Sequence, residues 1–348
     1  MARLARASHF TPDELAIIHV WNRVVRRCFL FGNDSVTGKN YDHRKVWIEE
    51  LIKHQATVFA IDVLAFSIMS NHFHLVLRTR PDVVETWDDT EVARRWLMLC
   101  PRRRGADGIA MEPTEPELNS IRTDRDKLKK IRSRLSDVSW WMRLMCQKIA
   151  QRSNAEEELV GKFWESRFHA VRILDDAALL ACAAYVDLNP IRAAMAELLE
   201  ESDHTSVQRR IATMKENAAD SKRTRSDSFL APLTIDELRD ALGPCPNTCG
   251  ERASNKGFLA MSIESYIELL DWTARQIIPG KRGSTPAEAP SILERLQLDA
   301  QVWCELVSDF GRLFSLVAGR PQVIAAARSR RRNSRFRMKR RVLELLGS

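Results

Sequence analysis

The segment Ser67-Ile68-Met69-Ser70-Asn71-His72-Phe73-His74-Leu75-Val76-Leu77-Arg78 constrains this chain more than any other. It reads as a turn, Met69-Ser70-Asn71, entering a strand from His72 to Arg78 that Pro81 ends. Successive strand side chains point to opposite faces, so His72 and His74 project side by side while Phe73 turns into a core. Two imidazoles on one face of a rigid strand are a ready pair of metal ligands. With eight His in 348 residues, a His-x-His arises by chance roughly one time in six. The pair by itself therefore fits two ordinary strand histidines equally well, and gains meaning only from residues able to reach it.

The rest of the chain supplies a frame for that strand. Ile17 to Val25 is rich in β-branched residues and reads as a first strand, and Val46, Trp47, Leu51 and Ile52 space a helix over Asp42 to Gln55. Val58 to Ile68 returns to strand composition. Helices fit Asp88 to Leu99, with Asp88 or Asp89 as cap, then Glu117 to Leu135 and Ser139 to about Arg152; Pro101 to Pro116 reads as a loop. Lys162 to Ile173 resumes a strand pattern, and Asp175 and Asp176 cap an Ala/Leu-rich helix that runs through Tyr185 toward Asn189 and Pro190. The order strand, helix, strand, strand, helices, strand, helix predicts an α+β fold: a ferredoxin-like antiparallel sheet with helical material inserted over about 80–135. Residues 213–232 are polar and predict a linker, and 233–348 predicts an α-helical extension ending in a basic tail.

That tail carries most of the charge imbalance. The net charge is +8, yet Arg328 to Arg341 holds nine Arg or Lys and no acid; the remainder of the chain sums to −1. Such a tail, with Arg330, Arg331 and Arg332 at its centre, suits phosphate contacts with a polyanion, and equally a solvated end without a specific partner. Arg23, Arg167 and Arg172 are further candidate phosphate contacts. Seven scattered cysteines and a start without an apolar signal region predict reduced thiols in a cytoplasm, and no apolar run predicts a membrane span.

A second chemically suggestive group lies far along the chain. In Ala184-Tyr185-Val186-Asp187-Leu188-Asn189-Pro190, Tyr185 and Asn189 stand four apart and share a helix face if the helix continues. A tyrosine can act as a covalent nucleophile and an Asn carbonyl can complete the coordination of a hard divalent ion. A buried helix tyrosine next to a helix-end Asn is the plainer alternative.

Taken in order, Met69-Ser70-Asn71-His72-Phe73-His74, Phe163-Trp164-Glu165-Ser166-Arg167-Phe168 and Tyr185-Val186-Asp187-Leu188-Asn189-Pro190-Ile191-Arg192-Ala193 resemble the successive signatures of the HUH single-tyrosine transposases. The similarity is to the insertion-sequence-200-like group that includes the REP-associated tyrosine transposases. Asn22-Arg23 and His204-Thr205-Ser206 also fit, and the resemblance spans about residues 9 to 212. It implies the HUH nuclease fold, His72 and His74 as metal ligands, Asn189 at the position of a third metal-binding side chain, and Tyr185 as nucleophile. It also implies Mg2+ or Mn2+ as cofactor and single-stranded or hairpin DNA as partner, cut and rejoined through a 5′-phosphotyrosine. It leaves monomer and homodimer both open. A domesticated protein that binds structured DNA without cutting it is the alternative, and a metal-dependent hydrolase without a tyrosyl intermediate is a third.

Other chemistry-bearing residues have plainer readings. Cys245 and Cys249 lack a second pair to make a zinc site. His43 and His54 fit a solvated helix face. His19 could face the same side as the histidine pair, with a structural role favoured. Trp140, Trp141 and Trp164 suit base stacking or, more simply, core packing.

Overall fold

The structure, a computed structural model, describes residues 13–25, 30–34, 38–106, 108–219, 225–240, 243–278, 290–330 and 336–347. Among them one five-stranded sheet forms, in the order β2-β3-β1-β4-β5, where β1 is Ile17–Arg23, β2 Ile61–Ile68, β3 His72–Thr79, β4 His169–Ile173 and β5 Val317–Ala318. The first four strands pair antiparallel, and β5 joins β4 in parallel. Helices cover both faces, giving a mixed α/β fold.

Period-two alternation sorts the central strands. Ile18 and Val20 on β1 and Phe73, Leu75 and Leu77 on β3 enter one core together with the helix His43–Val58 and the helix Val138–Glu156. These two helices make the β1 to β2 and β3 to β4 connections. Val76 on β3 and Val171 on β4 face the opposite side and enter a second core. β2 is buried along its whole length because both of its faces are covered. A bulge between Val63 and Ala65 flips its parity, which lets Ile61, Val63, Phe66 and Ile68 all point into the first core.

The second core is built on the helix Asp176–Asp187, the tyrosine helix. Asp175 caps it, its side chain accepting from the Ala178 amide. Its apolar residues run all the way round, as expected of a helix buried on every side. The sheet lies against it and so does the helix Ala300–Leu313, which is kinked at Asp309. The C-terminal extension therefore shares a core with the sheet, through Trp303, Leu306, Val307 and Phe310.

Several local expectations are corrected. The charged helix expected over Glu117 to Leu135 is two helices, Glu115–Arg122 and Arg125–Arg134, because Asp124 takes up a capping conformation and accepts from the Lys127 amide. Of the strand expected from Lys162, only His169–Ile173 pairs continuously; before it, Trp164 bridges Val24 alone. The segment 213–232 holds the end of the helix Ser206–Ala219, and Phe229, Leu230 and Ala231 are buried, with the Ala231 amide donating to Val63 at the β2 edge. Its polar composition hid a short apolar return to the sheet.

Candidate functional site

The side of the sheet that carries His72 and His74 also carries His19 and Trp21 from β1, because antiparallel pairing sets Trp21 opposite His74 and Arg23 opposite His72. The four rings form a cluster. His72 and His74 meet edge to face with centroids 5.0 Å apart, His19 stacks on His74 at 5.1 Å, and Trp21 stacks on His19 at 5.0 Å. Trp21 also stacks on His169 of β4 at 5.0 Å.

The tyrosine helix delivers Tyr185 onto this cluster. Its ring stands perpendicular to His74 at 5.4 Å, and to His19 at 5.9 Å. Beyond Leu188 a short helix, Asn189–Arg192, continues the path, so that Arg192 comes round onto the tyrosine with its guanidinium carbon 5.0 Å from the ring centroid. Phe310 packs on Tyr185 from the C-terminal helix at 5.8 Å. His19, Trp21, His74, Tyr185 and Arg192 line a cavity of about 760 Å³ that also takes in Arg23, Ser308, Asp309 and Arg312. Residues about 110 apart in sequence, and a third contribution from the extension, thus converge on one space.

Hydrogen bonds orient the imidazoles. His72 Nδ1 lies 2.6 Å from Asn71 Oδ1, and His74 Nδ1 lies 2.9 Å from His19 Nε2. Burial holds all three rings neutral: His19 and His72 are pushed down to about 3, and His74 falls well below the usual histidine range, with its neighbouring histidines and the cations Arg23 and Arg192 adding to the effect. Burial also raises the Tyr185 phenol, an effect that the Arg192 guanidinium opposes.

Neutral imidazole is the ligating form, and a ring held through Nδ1 leaves Nε2 able to bind metal. Were His74 to ligate through Nε2, its Nδ1–H would donate to His19 Nε2. Asn189 is buried with its amide NH2 unpartnered; that end is a donor, so only the side-chain oxygen could ligate a cation. It makes no hydrogen bond to either histidine. Among the described residues no three His, Cys, Asp or Glu side chains converge as a metal site.

The arginines singled out from sequence separate. Arg23 lines the cavity with its Nε buried and unpartnered. Arg167 lies in a different groove, on the far side of the β1 end. Arg172 is engaged by Glu14 at 2.7 Å, and Arg330 lines the hollow beside that pair, so Arg172 is not a free phosphate contact. Arg331 and Arg332 lie outside the described residues. Part of the basic tail is neutralised, since Arg341 pairs with Glu305 and Glu344. His19, Trp21 and Arg192, and the helix bearing Asp309 and Phe310, are parts of the site that the sequence reading did not assign. For His19 and Trp21 the signal was present: His19 shares strand parity with Trp21 and Arg23. For the helix there was none.

No protein-family model matches the chain, and no curated protein matches it. A solved structure of the REP-associated tyrosine transposase bound to a REP hairpin is similar over 61% of this chain and 86% of its own, at 10% identity and a TM-score of 0.35.

Proposed function

We propose that this protein is a metal-assisted DNA strand transferase that uses Tyr185 as nucleophile on single-stranded, hairpin-bearing DNA. The observation that carries the reading is the meeting of Tyr185 with His74 at 5.4 Å, beside His72, in a cavity lined by Arg23 and Arg192. A phenol, two neutral imidazoles and two cations are the groups needed to bind a phosphodiester and attack it. The β-α-β-β-α-β connectivity with strand order β2-β3-β1-β4 supports the ferredoxin-like, HUH-nuclease form of the mixed fold.

In this reading Arg23 and Arg192 draw the scissile phosphate into the cavity. His72 and His74 would hold a Mg2+ or Mn2+ ion, with the Asn189 side-chain carbonyl as a further oxygen donor, and the ion would supply charge neutralisation to the phosphate. The Tyr185 oxygen attacks phosphorus in line and loses its proton. The bond from phosphorus to the 3′-oxygen breaks, and that oxygen leaves as a 3′-hydroxyl. The product is a 5′-phosphotyrosine, and attack by a second 3′-hydroxyl reverses the step, restoring the phenol and joining a new end without ATP. Arg192 lowers the cost of forming the phenolate, against the burial that raises it.

Incubation with labelled hairpin DNA carrying single-stranded flanks, in the presence of Mg2+, should give a covalent adduct that disappears in Tyr185→Phe and in His72→Ala. An adduct persisting in Tyr185→Phe would remove the nucleophile assignment. A second reading, a DNA-binding protein that does not cut, is favoured by one observation: the C-terminal helix passes beside the Tyr185 hydroxyl at Gly311, where an added β-carbon would already be in contact with it. Tight hairpin binding with no metal-dependent cleavage would support it.

A further inference from the structure

A second groove lies at the same end of β1 as the tyrosine cavity, on the opposite face of the sheet. Consecutive residues at the end of β1 line the two: Arg23 the tyrosine cavity and Asn22 the groove. The groove encloses about 770 Å³ between the helix Val138–Glu156 and the segment before β4, and its lining holds Arg143, Lys162 and Arg167 and no carboxylate. All three cations are exposed. Aromatic walls interleave with them, in Trp140, Trp164 and Phe168.

These cations differ from their neighbours. In the insertion between β3 and β4, arginines are matched to acids: Arg94 to Glu112, Arg103 to Glu117, Arg122 to Glu115 and Arg132 to Asp89. Around the groove the described residues give Arg143, Lys162 and Arg167 no carboxylate partner. Arg143 instead lies over the Trp140 ring at 4.7 Å, and Arg134 over the same ring at 4.2 Å, again without an acid. A guanidinium stacked on an indole is held in place while its N–H edges stay free, and those edges match phosphate oxygens. Asn22 and Trp164 are themselves anchored, through Cys146, by hydrogen bonds of 3.3 Å to its sulfur and 2.8 Å to its carbonyl. The groove is therefore preorganised along its apolar wall and uncompensated in charge.

We propose that this groove binds the phosphodiester backbone of the single-stranded DNA that continues past Arg23 from the tyrosine cavity. The assignment rests on the DNA reading of that cavity. Single-strand binders combine cations that follow the backbone with aromatic rings beside the bases, and the groove offers both. The helix Arg125–Arg134 of the insertion contributes through Arg134, which gives part of that otherwise unexplained segment a role in holding the strand.

The test uses the full chain with Tyr185→Phe, so that binding is read without cleavage, and fluorescent hairpins with no flank or with a long single-stranded flank. Anisotropy titrations across a salt series give the slope of log affinity against log salt. Combining Arg143→Ala, Lys162→Ala and Arg167→Ala should reduce that slope by about 2 for the long-flank DNA, at roughly 0.7 per phosphate contact on a single strand, and leave the flankless hairpin unchanged. The same three positions changed conservatively, Arg143→Lys, Lys162→Arg and Arg167→Lys, should keep the parental slope. An unchanged slope in the alanine variant overturns the proposal, as does an equal fall for the flankless hairpin or failure of the parent to bind any flanked DNA. Adduct formation in the unmodified chain separates the two readings. An adduct with an unchanged slope removes the groove alone, and a lowered slope with no adduct on any DNA removes the tyrosine chemistry alone.

Discussion

Gly311 closes on Tyr185: a methyl group at its α-carbon would stand 3.4 Å from the phenolic oxygen. That is ordinary van der Waals contact, so alanine fits, and Gly311 itself is exposed at the cavity wall. Gly311→Ala should raise stability by up to about 0.5–1 kcal/mol through the lower entropy cost of alanine in a helix. Gly311→Leu would extend a larger side chain over the phenolic hydroxyl and should lower adduct formation on hairpin DNA relative to Gly311→Ala. Urea unfolding of the alanine variant and the adduct assay on both variants check the pair. A leucine variant that forms adduct as readily as the alanine variant would mean that the helix does not bear on Tyr185.

His19 makes stability depend on acidity. Its folded pKa of about 3 lies below the unfolded value of 6.5, so the unfolded chain takes up the proton first as pH falls. The neutral ring's contribution is complete above pH 6.5 and is lost toward about 3, at about 1.4 kcal/mol per pH unit. Between pH 7 and 5 this costs about 2 kcal/mol. His19→Leu should flatten the slope of unfolding free energy against pH by that amount, measured by urea unfolding across the interval. An unaltered slope would show that the ring titrates as it does in the unfolded chain.

Asp62 ties the segment 244–257 to the sheet. Its buried carboxylate accepts from Arg78 Nε at 2.9 Å, Arg80 Nη1 at 3.2 Å and the Ser254 amide at 3.0 Å. Asp62→Ala leaves two buried guanidiniums without their common acid, at a cost of about 3–5 kcal/mol. Limited proteolysis should then open the chain near residues 244–257 before the sheet is attacked. Proteolysis that begins elsewhere would contradict the tie.

Tyr266 performs a similar task behind the tyrosine helix. Its hydroxyl donates to the fully buried Asp187 at 2.8 Å, while the Val207 amide donates to the other carboxylate oxygen at 3.0 Å. Tyr266→Phe removes one of the bonds that satisfy a buried acid, and should cost about 1.5–3 kcal/mol in unfolding free energy. A change smaller than about 0.5 kcal/mol would show that Asp187 does not depend on the extension.

Much of the local structure was legible in the sequence because its determinants are local. β-Branched runs marked β1 and β2, the Asn71 turn marked the start of β3, and Asp88 and Asp175 stand as side-chain caps where helices begin. Period two placed His72 and His74 on one strand face, and spacing of four placed Asn189 one turn beyond Tyr185. Misreadings arose where a local signal had two meanings. Asp124 looked like one more charge in a long helix and is a cap, and the apolar Phe163-Trp164 looked like strand and packs as irregular chain.

Which distant residues share a space follows from packing, not from any local stretch. Antiparallel register brings Trp21 opposite His74 and sets His19 against it; packing of an apolar helix on the free face of the sheet puts Tyr185 over both. The helix Ala300–Leu313 reaches that site because the tyrosine helix is apolar on all sides and must be covered on the face the sheet leaves open. Local residue patterns set the periodic elements and the chemistry each one carries. Burial of long-range apolar surface, which no local window contains, determined where those chemistries meet.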